Sequence, residues 1–481
     1  MILAAGVLLL GYANKARCVG PQFTPQGQSG PDLGLRVTRD VCYSDIQFLW
    51  SGRQLYLHTF PYIHGAYDPV GREVSGGTLE YPVLTGLTAY LTALPASNDA
   101  EYLRNNAIVL ALCGLLCAFL LCRLTGLRAW WFALAPPMVL YAFHNWDLLA
   151  VACVVGAVAV LAGLRHSTHP GVRLLAAAAL LGVGGAFKFY PLMFALPVAL
   201  WAGFGIPEVT LRRSWGWAVG ILAVTAGMFA AFNLPFLLAG FSGWWASFQF
   251  QWSRPIDATT NAIWYWATRP DGNPDNLALQ DRLGKLSAVT TALGLLAACV
   301  AGWWRCRRAD EYPWLQVSAA MLAAYLLLNK VDSPQYSLWL LPFFVLLRIR
   351  AGWILAYFVA DAAVGIGFFR WQYLILQGVP EGVNDAFPLQ AVMIGVWGRA
   401  ALLVGLFVAF LAARSTVPDR SAAGPGPLGS APAGPGRPRG KSAASGADRA
   451  RPAQRDQGPA QQQPGDADAP TAQHVAGPVH P

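Results

Sequence analysis

Charge is what this chain has least of. Asp, Glu, Lys and Arg make up 12% of its 481 residues, about half the share of a soluble domain. That shortage excludes a chain wrapped in water along most of its length. Metal-ligand spacing is missing too. Neither CxxC nor HExxH occurs, so no zinc ribbon or zincin site is expected, and we expect no metal and no cofactor. Aromatic residues stop near 414. The remainder of the chain is Pro, Gly, Ala, Gln, Ser and scattered charge, too polar to offset the entropy of ordering. We read 414–481 as a disordered cytoplasmic tail.

Apolar residues are what it has most of: 55% of the chain, with a mean hydropathy of +0.41. They come in blocks near the ~20 residues that cross a bilayer, such as "LLAAAALLGVGGAF" (174–187) and "WAVGILAVTAGMFAAFNLPFLLAG" (217–240). One such block fits a buried core helix; about a dozen do not. The pattern predicts an all-α polytopic membrane protein with about 11–13 transmembrane helices. The expected spans are 1–13, 106–122, 129–143, 147–164, 174–187, 189–204, 215–238, 286–304, 313–329, 336–348, 353–369 and 390–413. The last but two fits a re-entrant segment as well. Several carry Pro, among them Pro136, Pro137, Pro191, Pro197 and Pro342. Residues 1–13 read either as a first span whose beginning is missing or as a signal peptide; we take the span.

Basic connections set the orientation. Arg123 and Arg128, Arg165 and Arg173, Arg212 and Arg213, Arg305, Arg307 and Arg308, and Arg348 and Arg350 lie between alternate spans and face the cytoplasm by the positive-inside rule. The net charge of +9 is then a membrane feature, and no nucleic-acid partner is expected. The other connections lie outside, including a large first loop, 14–105, with a membrane-skimming helix at 79–95. Five cysteines, Cys113, Cys117, Cys122, Cys153 and Cys299, sit in apolar runs as packing residues. Cys18 and Cys42 flank a polar stretch on the outer side, where a disulfide between them can form.

Sorted by side, the acids gather outside. Asp45 in "VCYSDIQFLW", Glu80 in "LEYP" and Asp147 in "HNWD" stand at edges of apolar stretches. Such positions are costly unless the group faces a wet cavity or a partner. Lys188 in "GGAFKFYP" is apolar-flanked on both sides. It reads either as a snorkelling lysine or as the partner of a phosphate. "NKVDSPQYSLWLLP" (329–342) reads as an ordinary turn or as a helix mouth with polar groups. The aromatic stretch 241–270 reads as an interfacial belt, as a surface for a lipid chain and a sugar, or as both. Asp361 and Arg399 lie inside expected spans and are expected to pair as a structural bridge.

These motifs, in this order and on one side, resemble the GT-C membrane glycosyltransferases. The nearest resemblance is to glycosyltransferase family 87, the polyprenol-phosphate-mannose-dependent mannosyltransferases of actinobacteria, over residues 1–413. The resemblance implies a multi-pass enzyme of the cell membrane with an extracytoplasmic active site. It implies a polyprenyl-phosphate-linked sugar donor, a lipid, glycan or protein acceptor, and inverting transfer. Asp45 would be the catalytic base and Lys188 the donor phosphate ligand. Glu80, Asn145, Asp147, Tyr190, Gln335 and Tyr336 would bind substrate. Two departures stand out: the first span is short, and "YSDI" holds one acid where metal-using relatives hold two. Asp40 is the rival base. A secondary transporter or a flippase of lipid-linked sugars is the alternative from another class; against it, the distinctive charges gather on one side.

Overall fold

The structure, a computed structural model, describes residues 1–206, 215–268, 277–309, 311–379 and 386–417. Arg212, Arg213, Glu208, Asp271, Asp275, Asp310, Glu381, Asp385 and the tail from 418 lie outside the described residues.

The regular structure of those residues is helical apart from two short hairpins, β1 (Gln22–Phe23) with β2 (Ser29–Gly30) and β3 (Ala66–Asp68) with β4 (Glu73–Ser75). Helix α1 (Ile2–Ala16) leads into a polar segment with α2 (Leu33–Asp40), α3 (Asp45–Gly52) and α4 (Val83–Ala93). Then come α5 (Asp99–Thr125), α6 (Trp130–Ala133), α7 (Pro136–Tyr141), α8 (Asp147–Ala162), α9 (Pro170–Phe187), α10 (Ala195–Phe204) and α11 (Trp215–Ala239). The aromatic stretch forms α12 (Phe241–Ser253) and α13 (Ile263–Thr268). The order closes with α14 (Leu277–Ala309), α15 (Trp314–Leu328), α16 (Ser337–Leu346), α17 (Ala351–Leu376) and α18 (Phe387–Ala412).

The protein is an all-α polytopic membrane protein. Six helical stretches among the described residues are long and apolar enough to cross a membrane: Asp99–Ala133, Pro170–Phe187, Trp215–Ala239, Ala278–Arg308, Ala351–Leu376 and Phe387–Ala412. Five more are apolar but shorter, Ile2–Ala16, Val83–Ala93, Asp147–Ala162, Tyr190–Phe204 and Trp314–Leu328. The expected 11–13 crossings counted most of these short helices as spans. Large apolar side chains lie exposed on several long helices, including Val219, Leu238, Leu293, Val359, Ile394 and Val408. A soluble monomer seldom exposes so much contiguous apolar surface; hydrocarbon is its fitting solvent.

Several boundaries differ from expectation, among them the start of α14 at Leu277 rather than 286 and the end of α17 at Leu376 rather than 369. Helix α5 starts at Asp99, about two turns before the expected 106. The Asn98 side chain accepts the Glu101 N–H at 2.9 Å, and Asp99 and Glu101 sit in the first turn, where acids suit the helix dipole. Polar residues in that stretch hid the helix from a hydropathy reading. The tail boundary also moves. Arg348 N–H donates to Arg414 O and Thr416 N–H to Leu346 O, both at 2.9 Å, so 414–417 are tied to the α16–α17 connection.

Three pairs of consecutive helices are separated by short breaks, and the breaks position the site. Helix α7 ends at Tyr141 and α8 starts at Asp147. Helix α9 stops at Lys188, whose backbone is extended (φ −148°, ψ 142°), and the chain re-enters through a 3-10 turn, Tyr190–Phe194, into α10. Pro191 is at the start of that turn, and Gly185 leaves room for Leu192 where any Cβ would collide with it. Helix α15 ends at Leu328 and resumes after the 3-10 turn Pro334–Tyr336 as α16. Irregular backbone beside apolar helices needs polar partners or a cavity.

The segment before α3 is gripped by the last turn of α1. The Cys18–Cys42 disulfide forms, as the sequence allowed. It closes a 24-residue separation, and such a loop is worth about 3 kcal/mol of chain entropy. Reducing it in detergent-solubilised protein, or replacing both cysteines by Ser, is expected to lower the thermal midpoint accordingly. An unchanged midpoint would mean that the neighbouring hydrogen bonds alone hold the segment.

Candidate active site

Asp45 is the first residue of α3 and is partly exposed. Its N–H donates to His144 O at 2.9 Å, and the Ser44 hydroxyl donates to Phe143 O at 2.7 Å. These bonds splice the start of α3 onto the break between α7 and α8. Asn145 is thereby beside Asp45, and its Nδ2 donates to Asp45 Oδ2 at 2.7 Å. The same amide nitrogen donates to the Tyr81 hydroxyl at 2.8 Å, and that hydroxyl donates to Asp45 Oδ2 at 3.4 Å.

Asn145 carries a second message on its oxygen. Lys188 Nζ donates to Asn145 Oδ1 at 3.0 Å. An ammonium only donates and an ionised carboxylate only accepts, so this pair of neighbours fixes which way the amide points. Counting the amide's own width of about 2.3 Å, Asp45 Oδ2 and Lys188 Nζ are at most about 8 Å apart. Lys188 also stands over the Tyr81 ring, 4.5 Å from its centroid, and 3.7 Å from Asp147 Oδ1. It is 8% exposed. A snorkelling lysine would turn its head to water; this one turns to three protein groups.

Asp147 is fully buried. Its Oδ1 accepts from the Trp339 indole at 2.8 Å, and its Oδ2 has no partner. The resemblance makes it a substrate ligand; here it lies beneath Lys188 as its counter-ion. Tyr190 and Tyr336 sandwich Trp339, with centroids 4.0 and 3.9 Å away. Both are thus part of the floor that holds Asp147. Gln335 is buried in the 3-10 turn before α16. Glu80 is turned aside: its carboxylate pairs with Arg53 at 2.9 Å. Asp40, the rival base, pairs with Arg39 at 2.9 Å. That hydrogen bond, and further the Arg39, Arg17 and Arg370 charges, hold its carboxyl below the usual range. Asp361 does pair with Arg399, at 3.3 Å, and Asp332 joins them.

The surroundings keep the tyrosines and His144 uncharged. Burial, then the Asp45 charge, pushes the Tyr43 and Tyr81 hydroxyls well above their ordinary value. Burial, then the Lys15 and Lys188 ammoniums, pushes His144 well below its own. Protonated tyrosines are donors to the Asp45 carboxylate, and a neutral His144 adds no charge.

Four contributors escaped the sequence reading. Tyr81 stood inside "EYP" beside the acid that drew notice. Trp339 looked like one more apolar residue of its run. Lys15 looked like the end of a first helix. Arg254 lay in the aromatic stretch, and its charge acts on Tyr43, Tyr336 and Lys330. A lysine directly after an apolar run, as Lys15 is, was the one usable signal. Among the described residues no three His, Cys, Asp or Glu side chains converge as metal ligands.

No family model and no curated protein matches the chain. Among solved structures it is similar to the archaeal oligosaccharyltransferase AglB of Archaeoglobus fulgidus. With the form bound to an inhibitory peptide and a dolichol-phosphate, identity is 12% and the TM-score 0.35, over 84% of this chain and 56% of that one. With the zinc and sulfate complex, identity is 12% and the TM-score 0.35, over 82% and 53%. The chain thus spans about half the length of the solved proteins it matches. A likeness this distant assigns neither an activity nor a residue.

Proposed function

We propose that this protein is a membrane glycosyltransferase that moves a hexose from a polyprenyl-phosphate donor to a hydroxyl acceptor on the extracytoplasmic side. The observation that carries the reading is the Asp45–Asn145–Lys188 bridge. It sets one carboxylate and one desolvated ammonium at most about 8 Å apart, room for a reacting centre between a base and a leaving phosphate. The family resemblance of the motifs supplies mannose as the hexose. The Cys18–Cys42 disulfide supports the outer side, because such bonds persist where the surroundings oxidise.

The step needs little apparatus. The acceptor oxygen attacks the anomeric carbon from the face opposite the phosphate, and the configuration inverts. Asp45 takes the hydroxyl proton as the new bond forms. The bond from the anomeric carbon to the phosphate oxygen breaks, and its electron pair leaves on the phosphate. Lys188 meets that growing negative charge, a stabilisation worth most in a water-poor site. Asn145 keeps the base and the cation in register throughout. Asp147 holds Lys188 before the donor arrives.

Labelled donor tests this. Membranes containing the chain, given polyprenyl-phosphate-[radiolabelled mannose] and an acceptor extract, are expected to yield labelled acceptor and free polyprenyl phosphate. Donor that crosses the bilayer unchanged would favour the transporter or flippase reading. Lys188→Met is expected to lower kcat/KM by about 10²- to 10³-fold. An unchanged value in that variant would take the donor phosphate away from Lys188.

A further inference from the structure

The stretch 40–43 is held residue by residue by side chains from the last turn of α1. The Asn14 amide donates to Val41 O at 3.4 Å, Lys15 Nζ donates to Tyr43 O at 2.7 Å, and Arg17 donates to Asp40 O. Cys18 is bonded to Cys42. The next two residues, Ser44 and Asp45, are tied to Phe143 and His144. The backbone that delivers Asp45 is therefore fixed on both sides.

Lys15 differs from its neighbours in this grip. It is 2% exposed. Among the described residues no carboxylate lies within ion-pair distance of it. A buried charge costs much unless something compensates it, and a neutral amide donor would hold a carbonyl at far less cost. Burial pushes the Lys15 ammonium down to about 7, against the opposing pull of the Asp45 charge, so what it contributes here is its bond to Tyr43 O.

We infer that Lys15 is a positioning residue for the reaction: it anchors the backbone two residues before Asp45 and so sets where that carboxylate stands. The inference rests on the proposed role of Asp45 as base. Asp45 is faced from several elements. Lys15 comes from α1 and Tyr43 from its own segment. Glu80 and Tyr81 come from the stretch before α4. His144, Asn145 and Asp147 come from the α7–α8 break, and Lys188 from the end of α9. Of the two lysines, Lys188 is already shared with Asp147; Lys15 is not.

The test measures kcat and donor KM on the purified full chain with polyprenyl-phosphate-mannose, for Lys15→Met, Lys15→Gln, Lys15→Arg and Asp45→Asn. Lys15→Met, which removes the donor to Tyr43 O, is expected to lose about tenfold or more in kcat, with donor KM within about twofold of wild type. Lys15→Arg, which keeps a long donor, is expected to recover most of that loss, and Lys15→Gln, with a shorter one, less of it. If Lys15→Met does not accumulate, the comparison of Lys15→Gln with Lys15→Arg carries the test, and equal kcat in those two would overturn the inference. Wild-type kcat in folded Lys15→Met would overturn it too, as would a rise in KM with kcat retained. Asp45→Asn separates the two failures. If it is inactive while the Lys15 variants behave as wild type, only the present inference falls. If it is fully active, the base assignment itself falls.

Discussion

Asp45→Asn is expected to lose transfer by about 10³-fold, roughly 4 kcal/mol of barrier, at unchanged protein level and melting temperature. The substitution is nearly isosteric, and the α3 start is fixed by backbone bonds that it leaves alone, Asp45 N–H to His144 O among them. What it removes is the ability to accept a proton. It also sets two amide groups, Asn145 and the new one, against the Tyr81 hydroxyl, which keeps the pocket polar. Donor KM should move little, because the proposed function gives the donor phosphate to Lys188. Transfer at the wild-type rate would remove Asp45 from the chemistry. Asp40→Asn is the companion measurement. Its carboxylate is engaged by Arg39, so it is expected to keep nearly full activity.

Replacing Arg399 by Leu is expected to cost about 3–5 kcal/mol of stability, read as poor accumulation or a large fall in the thermal midpoint. Arg399 is 1% exposed and serves two carboxylates, Asp361 at 3.3 Å and Asp332, besides donating to Asp332 O at 2.8 Å. Ser337 donates to Asp361 Oδ1 at 2.5 Å, and its hydroxyl is 3.1 Å from that of Tyr357. Without the guanidinium, two buried acids face each other in an apolar surround. The cost comes mainly from those stranded charges. Arg399→Leu combined with Asp332→Asn and Asp361→Asn should therefore regain most of the loss. A single variant that melts like wild type would mean that the cluster contributes no net stability. The cluster ties α17 and α18 to the turn before α16, and α16 carries the Trp339 that holds Asp147. A partly folded Arg399 variant should for that reason lose activity before it loses its helices.

Much of the site was legible because a sparse resource is easy to trace. In a chain with so few charges, each acid or lysine at the edge of an apolar run stands out, and Asp45, Asn145, Asp147 and Lys188 do meet. Their relations were less legible. Asp147, expected to hold sugar or acceptor hydroxyls, is buried 3.7 Å from Lys188. Tyr190 and Tyr336, expected to bind substrate, stack on Trp339. Glu80 drew notice while its neighbour Tyr81 makes the contact with Asp45. Local sequence shows that a polar group needs a partner, yet it does not say which of several helices brings one.

Local sequence was enough to establish that the protein lives in a membrane and that it is helical; it read the stretches near 144–146, 188 and 330–335 as connections between separate spans. Apolar run length and the geometry of Pro and Gly act locally, so the chain needs no partner to express them. Helix packing was needed to bring the three helix breaks together and to let Asn145 join the Asp45 carboxylate to the Lys188 ammonium. It was also needed for the last turn of α1 to return and grip the approach to Asp45. Those contacts join residues about 30 to 190 positions apart, and they exist because helices packed at one angle bring one pair of breaks together and not another.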